Sequence, residues 1–341
     1  MTISAFISGC EGLTLSDDEK RFLKDANPWG FILFGRNVDT PEQVQALVSS
    51  FRECVGREGA PVLIDQEGGR VQRLRPPHWP SYPPGAVFGQ LEELHPVQGT
   101  EAAFLGGRLL AHDLLMLGIN VDCLPVLDVP VPNTTKAIGD RAYSQNPEIV
   151  SKLGAAAAQG AMAGGVLPVV KHLPGHGRAL VDSHLDLPSV SANLAALKSH
   201  DFAAFEPLKD YPLGMTAHVV FEAIDAEHPA TLSRKVIQTI IRDQIGFSGL
   251  LMSDDISMGA LQSPMGERTA SAISAGCDIV LHCNGLMDEM LAVAANVPTL
   301  GGVAAERAEN ALSKCVAPGE FDSIAARIEF DAYMTKAGWG A

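Results

Sequence analysis

Residues 153–178 read LGAAAAQGAMAGGVLPVVKHLPGHGR. The first half is a run of alanines and glycines closed by Gly164-Gly165, and the second is a short apolar stretch ending on Lys171-His172. The uncharged stretch 153–170 has the length of a membrane span, but its small residues, Gln159 and Pro168 argue for a small-residue helix followed by a buried strand. The strand is placed at residues 168–172. Working outward, the same unit recurs: short apolar runs at 3–8, 30–34, 61–65, 120–123, 213–218, 250–254 and 278–282 alternate with amphipathic segments. Helix starts are written between them, with Thr40-Pro41-Glu42-Gln43 offering a capping-box spacing and Asn146-Pro147 a similar entry. Eight βα repeats in roughly 250 residues or more predict a (β/α)8 TIM-type barrel rather than a doubly wound sheet. No linker or composition shift divides the chain, so residues 1–341 are expected to form a single domain. Closing helices are expected at about 286–341, at 304–317 and 321–336.

Composition supports a packed protein. Of 341 residues 46% are hydrophobic and 19% charged, and no segment is of low complexity. The 25 Lys and Arg against 40 Asp and Glu give a formal charge of -15, which disfavours nucleic acid and anionic membrane surfaces as partners. Glu11, Asp17, Asp18 and Glu19 precede the first Lys, so no basic leader is expected and the chain is placed in the cytoplasm. Six cysteines, at 10, 54, 123, 277, 283 and 315, show no C-x-x-C spacing and are expected as reduced thiols.

A barrel builds its active site at the C-terminal ends of its strands. Asp65, Lys171, His172, His218 and Asp254 all fall at such ends, where a core would otherwise place apolar groups. The loop after Lys171-His172 continues through His176 and Arg178 to Asp182-Ser183-His184. Asp182 and His184 suit an acid/base dyad in which the carboxylate orients the imidazole. A metal site built from His172, His176, His184 and a carboxylate is the competing arrangement; the neighbouring Lys171 would repel a cation, and no metal or other cofactor is expected. Adjacent strand residues face opposite ways, so of Asp254-Asp255 the first is assigned to chemistry and the second to a structural role, with Asp255 or Ser257 able to cap the next helix. Asp65 before Gly68-Gly69, with Arg70 and Arg73, suits a polar ligand such as a sugar. No phosphate loop or nucleophile elbow is present.

The ordered set I-D-Q-E-G-G-R-V-Q-R-L, G-D-R-A-Y-S, K-H-L-P-G-H-G, D-S-H, M-T-A-H and S-D-D-I-S-M, from Asp65 to Met258, resembles glycoside hydrolase family 3. Within that family the chain is similar to the short bacterial β-N-acetylglucosaminidases. The resemblance implies a (β/α)8 barrel, Asp254 as nucleophile, His184 as acid/base and Asp182 as its orienting partner. It implies Asp65, Arg73, Arg141, Lys171 and His172 as binders of the N-acetylglucosamine unit, with His176, Arg70, His218 and Met258 near the site. A small carbohydrate from muropeptide recycling is the implied partner, and a monomer is expected. Leu173 stands where Phe is frequent and Phe221-Glu222 where Pro is common, which bears on subsite detail. A His acid admits an anionic acceptor, so phosphorolysis is the implied alternative to hydrolysis; a sugar-binding protein without catalysis is the other.

Overall fold

The helix expected from the small-residue run spans Pro147–Ala163; Asn146 caps it by accepting from the Glu148 N–H, with Pro147 in its first turn. The chain then enters a strand at Leu167–Leu173. The computed structural model describes residues 2–132, 134, 136–183 and 186–340. Eight parallel strands close into a barrel: β1 Ser4–Ser8, β2 Pro28–Leu33, β3 Val62–Ile64, β4 Val121–Asp122, β5 Leu167–Leu173, β6 Leu213–Thr216, β7 Leu250–Asp255 and β8 Ile279–His282. Each strand pairs with the next in sequence, and β8 returns to β1 through Phe6 opposite Val280 and Ile7 opposite Leu281. The single-domain (β/α)8 barrel read from the sequence is the observed fold.

Strand alternation splits the apolar residues into two cores. Ala5, Ile7, Leu63, Val121, Leu167, Val169, Leu213, Met215, Leu250, Met252, Ile279 and Leu281 fill the barrel interior. Their neighbours Phe6, Phe31, Val62, Ile64, Val170, Leu251 and Val280 face outward, into the layer under the helices. The late helix Gly302–Ser313 contributes Ala308 and Ala311 to the interior cluster, and Ser323–Lys336 contributes Phe330 and Met334 to the outer one.

Two helices on the outside touch almost backbone to backbone. A Cβ added to Gly107 in Gln98–Leu115 would lie 2.1 Å from the Ala157 carbonyl oxygen, and one on Gly160 would lie 2.0 Å from that of Phe104. The glycines of the small-residue run therefore serve helix packing. At the other predicted start, Thr40 caps Pro41–Val55 by accepting from the Gln43 N–H, but Gln43 reaches back to the Asp39 N–H rather than to Thr40. Among the described residues no helix is long and apolar enough to cross a membrane.

Candidate active site

Alternation continues past the interior residues into the mouth of the barrel. Two residues after Leu63, Val169 and Met252 stand Asp65, Lys171 and Asp254, so the parity that buries the apolar side chains aims these three into the same space. They line a cavity of about 370 Å³, with Arg70, Arg73, Arg141, His172, His176, Asp182 and Met258 around it. Ile32, Phe34, Met215, Leu281 and Cys283 supply apolar wall. The volume suits a sugar-sized ligand.

One side of the cavity is an ion network. Lys171 Nζ donates to Asp65 Oδ1 at 2.9 Å and to Glu67 Oε1 at 2.6 Å. Arg73 Nη2 donates to Asp65 Oδ2 at 3.0 Å, and Arg141 grips both oxygens of Glu67 at 2.8 Å each. Burial would raise the pKa of Asp65, but Lys171 and Arg73 hold it well below the usual carboxylate range. Burial likewise opposes ionisation of Glu67, yet Arg141 and Lys171 bring it down to about 2. Against its own desolvation Lys171 is raised by Asp65 and Glu67, and Arg141 by Glu67. At neutral pH this side thus presents three cations against two anions, with fixed donors and acceptors for hydroxyl and amide groups.

The loops that carry these groups are themselves braced. Gln66 Oε1 accepts the N–H groups of Arg73 and Leu74 at 2.9 and 3.0 Å, which sets the hairpin presenting Arg73. Arg70 donates to the carbonyls of Lys136, Ala137 and Ile138 and pairs with Asp140, so it clamps the turn from which Arg141 projects.

A second centre organises the histidines. Asp128, fully buried, meets His172 Nδ1 at 2.6 Å and accepts the His176 N–H at 2.6 Å. Burial resists its charge, but the His172 ring outweighs that and lowers its pKa to about 2. With Nδ1 committed to the carboxylate, His172 turns Nε2 toward the cavity it lines. His176 Nε2 lies 3.0 Å from Ser183 Oγ, and burial lowers the pKa of its ring to about 4. His172 and His176 therefore direct nitrogens to Asp128 and Ser183 rather than to a common point, and among the described residues no three His, Cys, Asp or Glu are grouped to hold a metal.

With this geometry in hand, the chain can be placed among known proteins. Residues 5–317 match the glycosyl hydrolase family 3 N-terminal domain. The chain belongs to glycosyl hydrolase family 3. A β-hexosaminidase of Thiobacillus denitrificans is 38% identical over 300 residues, covering 86% of this chain and 82% of the relative. That of Methylococcus capsulatus is 36% identical over 337 residues, covering 96% and 94%. Among solved structures, native NagZ from Neisseria gonorrhoeae superposes with a TM-score of 0.84 at 30% identity, over 100% of this chain and 99% of that one. The same protein in complex with N-trifluoroacetyl-D-glucosamine gives the same score and identity over the same coverage.

In this family 3 chain both acids at the end of β7 line the cavity, and they differ in their hydrogen bonds. Asp254 Oδ1 accepts the Asp255 N–H at 2.8 Å and lines the cavity. Asp255 accepts from Ser257 through both N–H and hydroxyl and from the Cys283 N–H at 3.2 Å, tying the ends of β7 and β8 together. Neither Asp255 nor Ser257 caps a helix, because the next one spans Met265–Ala275 and starts after Pro264. His218, expected near the site, stands one layer behind the cavity lining. It does not line the cavity: β6 ends at Thr216, and the fully buried ring turns to Thr231 Oγ1 at 2.7 Å and to the Asp255 carbonyl at 3.0 Å. It braces the end of β7 from behind. His184 lies outside the described residues.

Glu67, Asp128 and Ser183 were not singled out from the sequence. Glu67 carried a signal, as the second acid beside a strand end flanked by arginines. Ser183 lies inside the D-S-H motif with no role of its own assigned there, and Asp128 carries no local signal because its partners lie 44 and 48 residues further along the chain.

Proposed function

We propose that this chain is a retaining exo-β-N-acetylglucosaminidase that removes the non-reducing N-acetylglucosamine from GlcNAc-1,6-anhydro-MurNAc and its peptide-bearing forms during peptidoglycan recycling, acting as a cytoplasmic monomer. The observation that carries the reading is a carboxylate, Asp254, lining a sugar-sized cavity together with Asp65, Lys171 and Arg141, whose charges Glu67 helps to hold in place. The β-hexosaminidase relatives supply the class of glycoside, and the N-acylglucosamine complex of the gonococcal protein supplies the kind of sugar.

In this mechanism Asp65, Arg73, Arg141, Lys171 and His172 hold the sugar. Asp254 attacks the anomeric carbon, forming a C–O bond as the bond to the aglycone oxygen breaks. His184, oriented by Asp182, gives its proton to the departing oxygen and is left neutral. It then takes a proton from water as the water oxygen displaces Asp254, which restores both groups. No step needs a metal or an organic cofactor.

The test is release of nitrophenol from an aryl β-N-acetylglucosaminide in EDTA buffer, with and without phosphate, identifying the sugar. Free N-acetylglucosamine under both conditions, and its loss in Asp254→Ala by a factor on the order of 10⁴ or more, is the expected result. A sugar phosphate would move the reading to phosphorolysis, and loss of activity on chelation would move it to a metal enzyme. Absence of release would leave a sugar-binding barrel.

A further inference from the structure

Ser183 stands directly after Asp182, and although it belongs to an irregular loop it is only 3% exposed. Two of its polar groups are used. Its Oγ lies 3.0 Å from His176 Nε2, and its carbonyl accepts the Ala260 N–H at 3.1 Å. Ala260 belongs to the segment that follows Asp254. Ser183 thus joins the wall after β5 to the wall after β7.

His176, by contrast, is built into the barrel. Its N–H donates to Asp128 at 2.6 Å, its carbonyl accepts from the Ala179 N–H at 3.1 Å, and the next residue packs so tightly that a Cβ on Gly177 would lie 2.1 Å from the Val129 oxygen. The ring faces Asp128, His172 and Asp254 besides Ser183. Burial keeps it neutral at ordinary pH, so Nε2 and a hydroxyl that both donates and accepts form one bond in either tautomer. Its Nδ1 is buried with no hydrogen-bond partner among the described residues. A phenyl ring would fill this space without burying an unpaired nitrogen, so the imidazole is explained by what Nε2 does.

We propose that His176 and Ser183 form a latch that sets the position of Asp182, the carboxylate assigned to orient the acid/base. His176 is then a positioning residue for the acid/base step. The inference rests on the assignment of Asp182 and His184 made above, and it adds the device that holds Asp182.

Ser183→Ala removes the hydroxyl, Ser183→Thr keeps one, and His176→Phe removes the nitrogen. Amide hydrogen exchange of peptides covering 176–190 is the first readout. It is expected to quicken about fivefold in Ser183→Ala and His176→Phe, the size of one net hydrogen bond, while peptides covering 250–255 stay as in the parent. The second readout is kcat/KM on a phenyl and a dinitrophenyl β-N-acetylglucosaminide. Ser183→Ala should lose about tenfold on the poor leaving group, which needs the acid, and much less on the good one, with Ser183→Thr recovering most of the loss. Equal losses on both glycosides, or unchanged exchange in Ser183→Ala, would overturn the latch. Should the parent hydrolyse neither glycoside, the glycosidase reading falls, and the exchange measurement still decides for or against the latch.

Discussion

Asp65, Lys171 and Asp254 show how little a single residue has to do to become a site residue. Each sits two positions beyond an interior apolar side chain, and the strand's period of two carries it to the barrel mouth. What makes them usable is their partners. Glu67 neutralises Lys171 and Arg141 from a buried position, so Glu67→Gln should leave two buried cations short of a counter-charge. The expected result is a rise in KM of about tenfold with kcat less affected, and a stability loss on the order of 3 kcal/mol. Steady-state kinetics and urea unfolding check the two halves. These residues also mark how far the sequence could be read. Asp65, Lys171 and Asp254 were legible because their parity is local, whereas the His172–Asp128 contact spans 44 residues and the Arg141–Glu67 pair 74. No local pattern specifies such pairs.

At the scale of elements, the loop after β5 and the paired helices answer to different forces. The buried His176 ring has its folded pKa lowered to about 4 from 6.5, so the unfolded chain binds a proton first as the pH falls. Its stability contribution is therefore full above 6.5 and lost between 6.5 and about 4. Glu67 and Asp128, both depressed to about 2, lose theirs later, as the pH falls from 4.5 and 3.8 respectively toward 2. The melting temperature should thus fall in two stages on acidification, and His176→Phe should flatten the first stage while leaving the second. Outside the barrel, Gly160→Ala would drive a methyl into the Phe104 carbonyl, and unfolding by urea should show a loss of about 1–3 kcal/mol. The small-residue run was readable as a helix; that its glycines serve close contact with a second helix was not, since the partner lies about fifty residues earlier in the chain.

For the whole molecule, the formal charge of -15 works against an anionic substrate even though one side of the cavity carries three cations for two carboxylates. Salt should screen the long-range repulsion before it weakens the buried pairs. From about 0.01 M to 0.1 M, where the screening length shortens from about 30 Å to about 10 Å, kcat/KM for a carboxylate-bearing muropeptide should rise relative to a neutral aryl glycoside. A flat ratio across that range would show that attraction in the cavity already dominates. The amino-acid sequence by itself determined the number and order of the strands, the barrel, and the strand-end residues Asp65, Lys171 and Asp254, because hydrophobic period and turn residues act within a few positions of themselves. Tertiary structure alone decided that Glu67 and Asp128 complete the site, that Asp255 ties two strands instead of capping a helix, and that His218 stands behind the cavity. Those outcomes depend on which charges and donors the closed barrel brings within about 3 Å of one another, and burial makes each such contact obligatory.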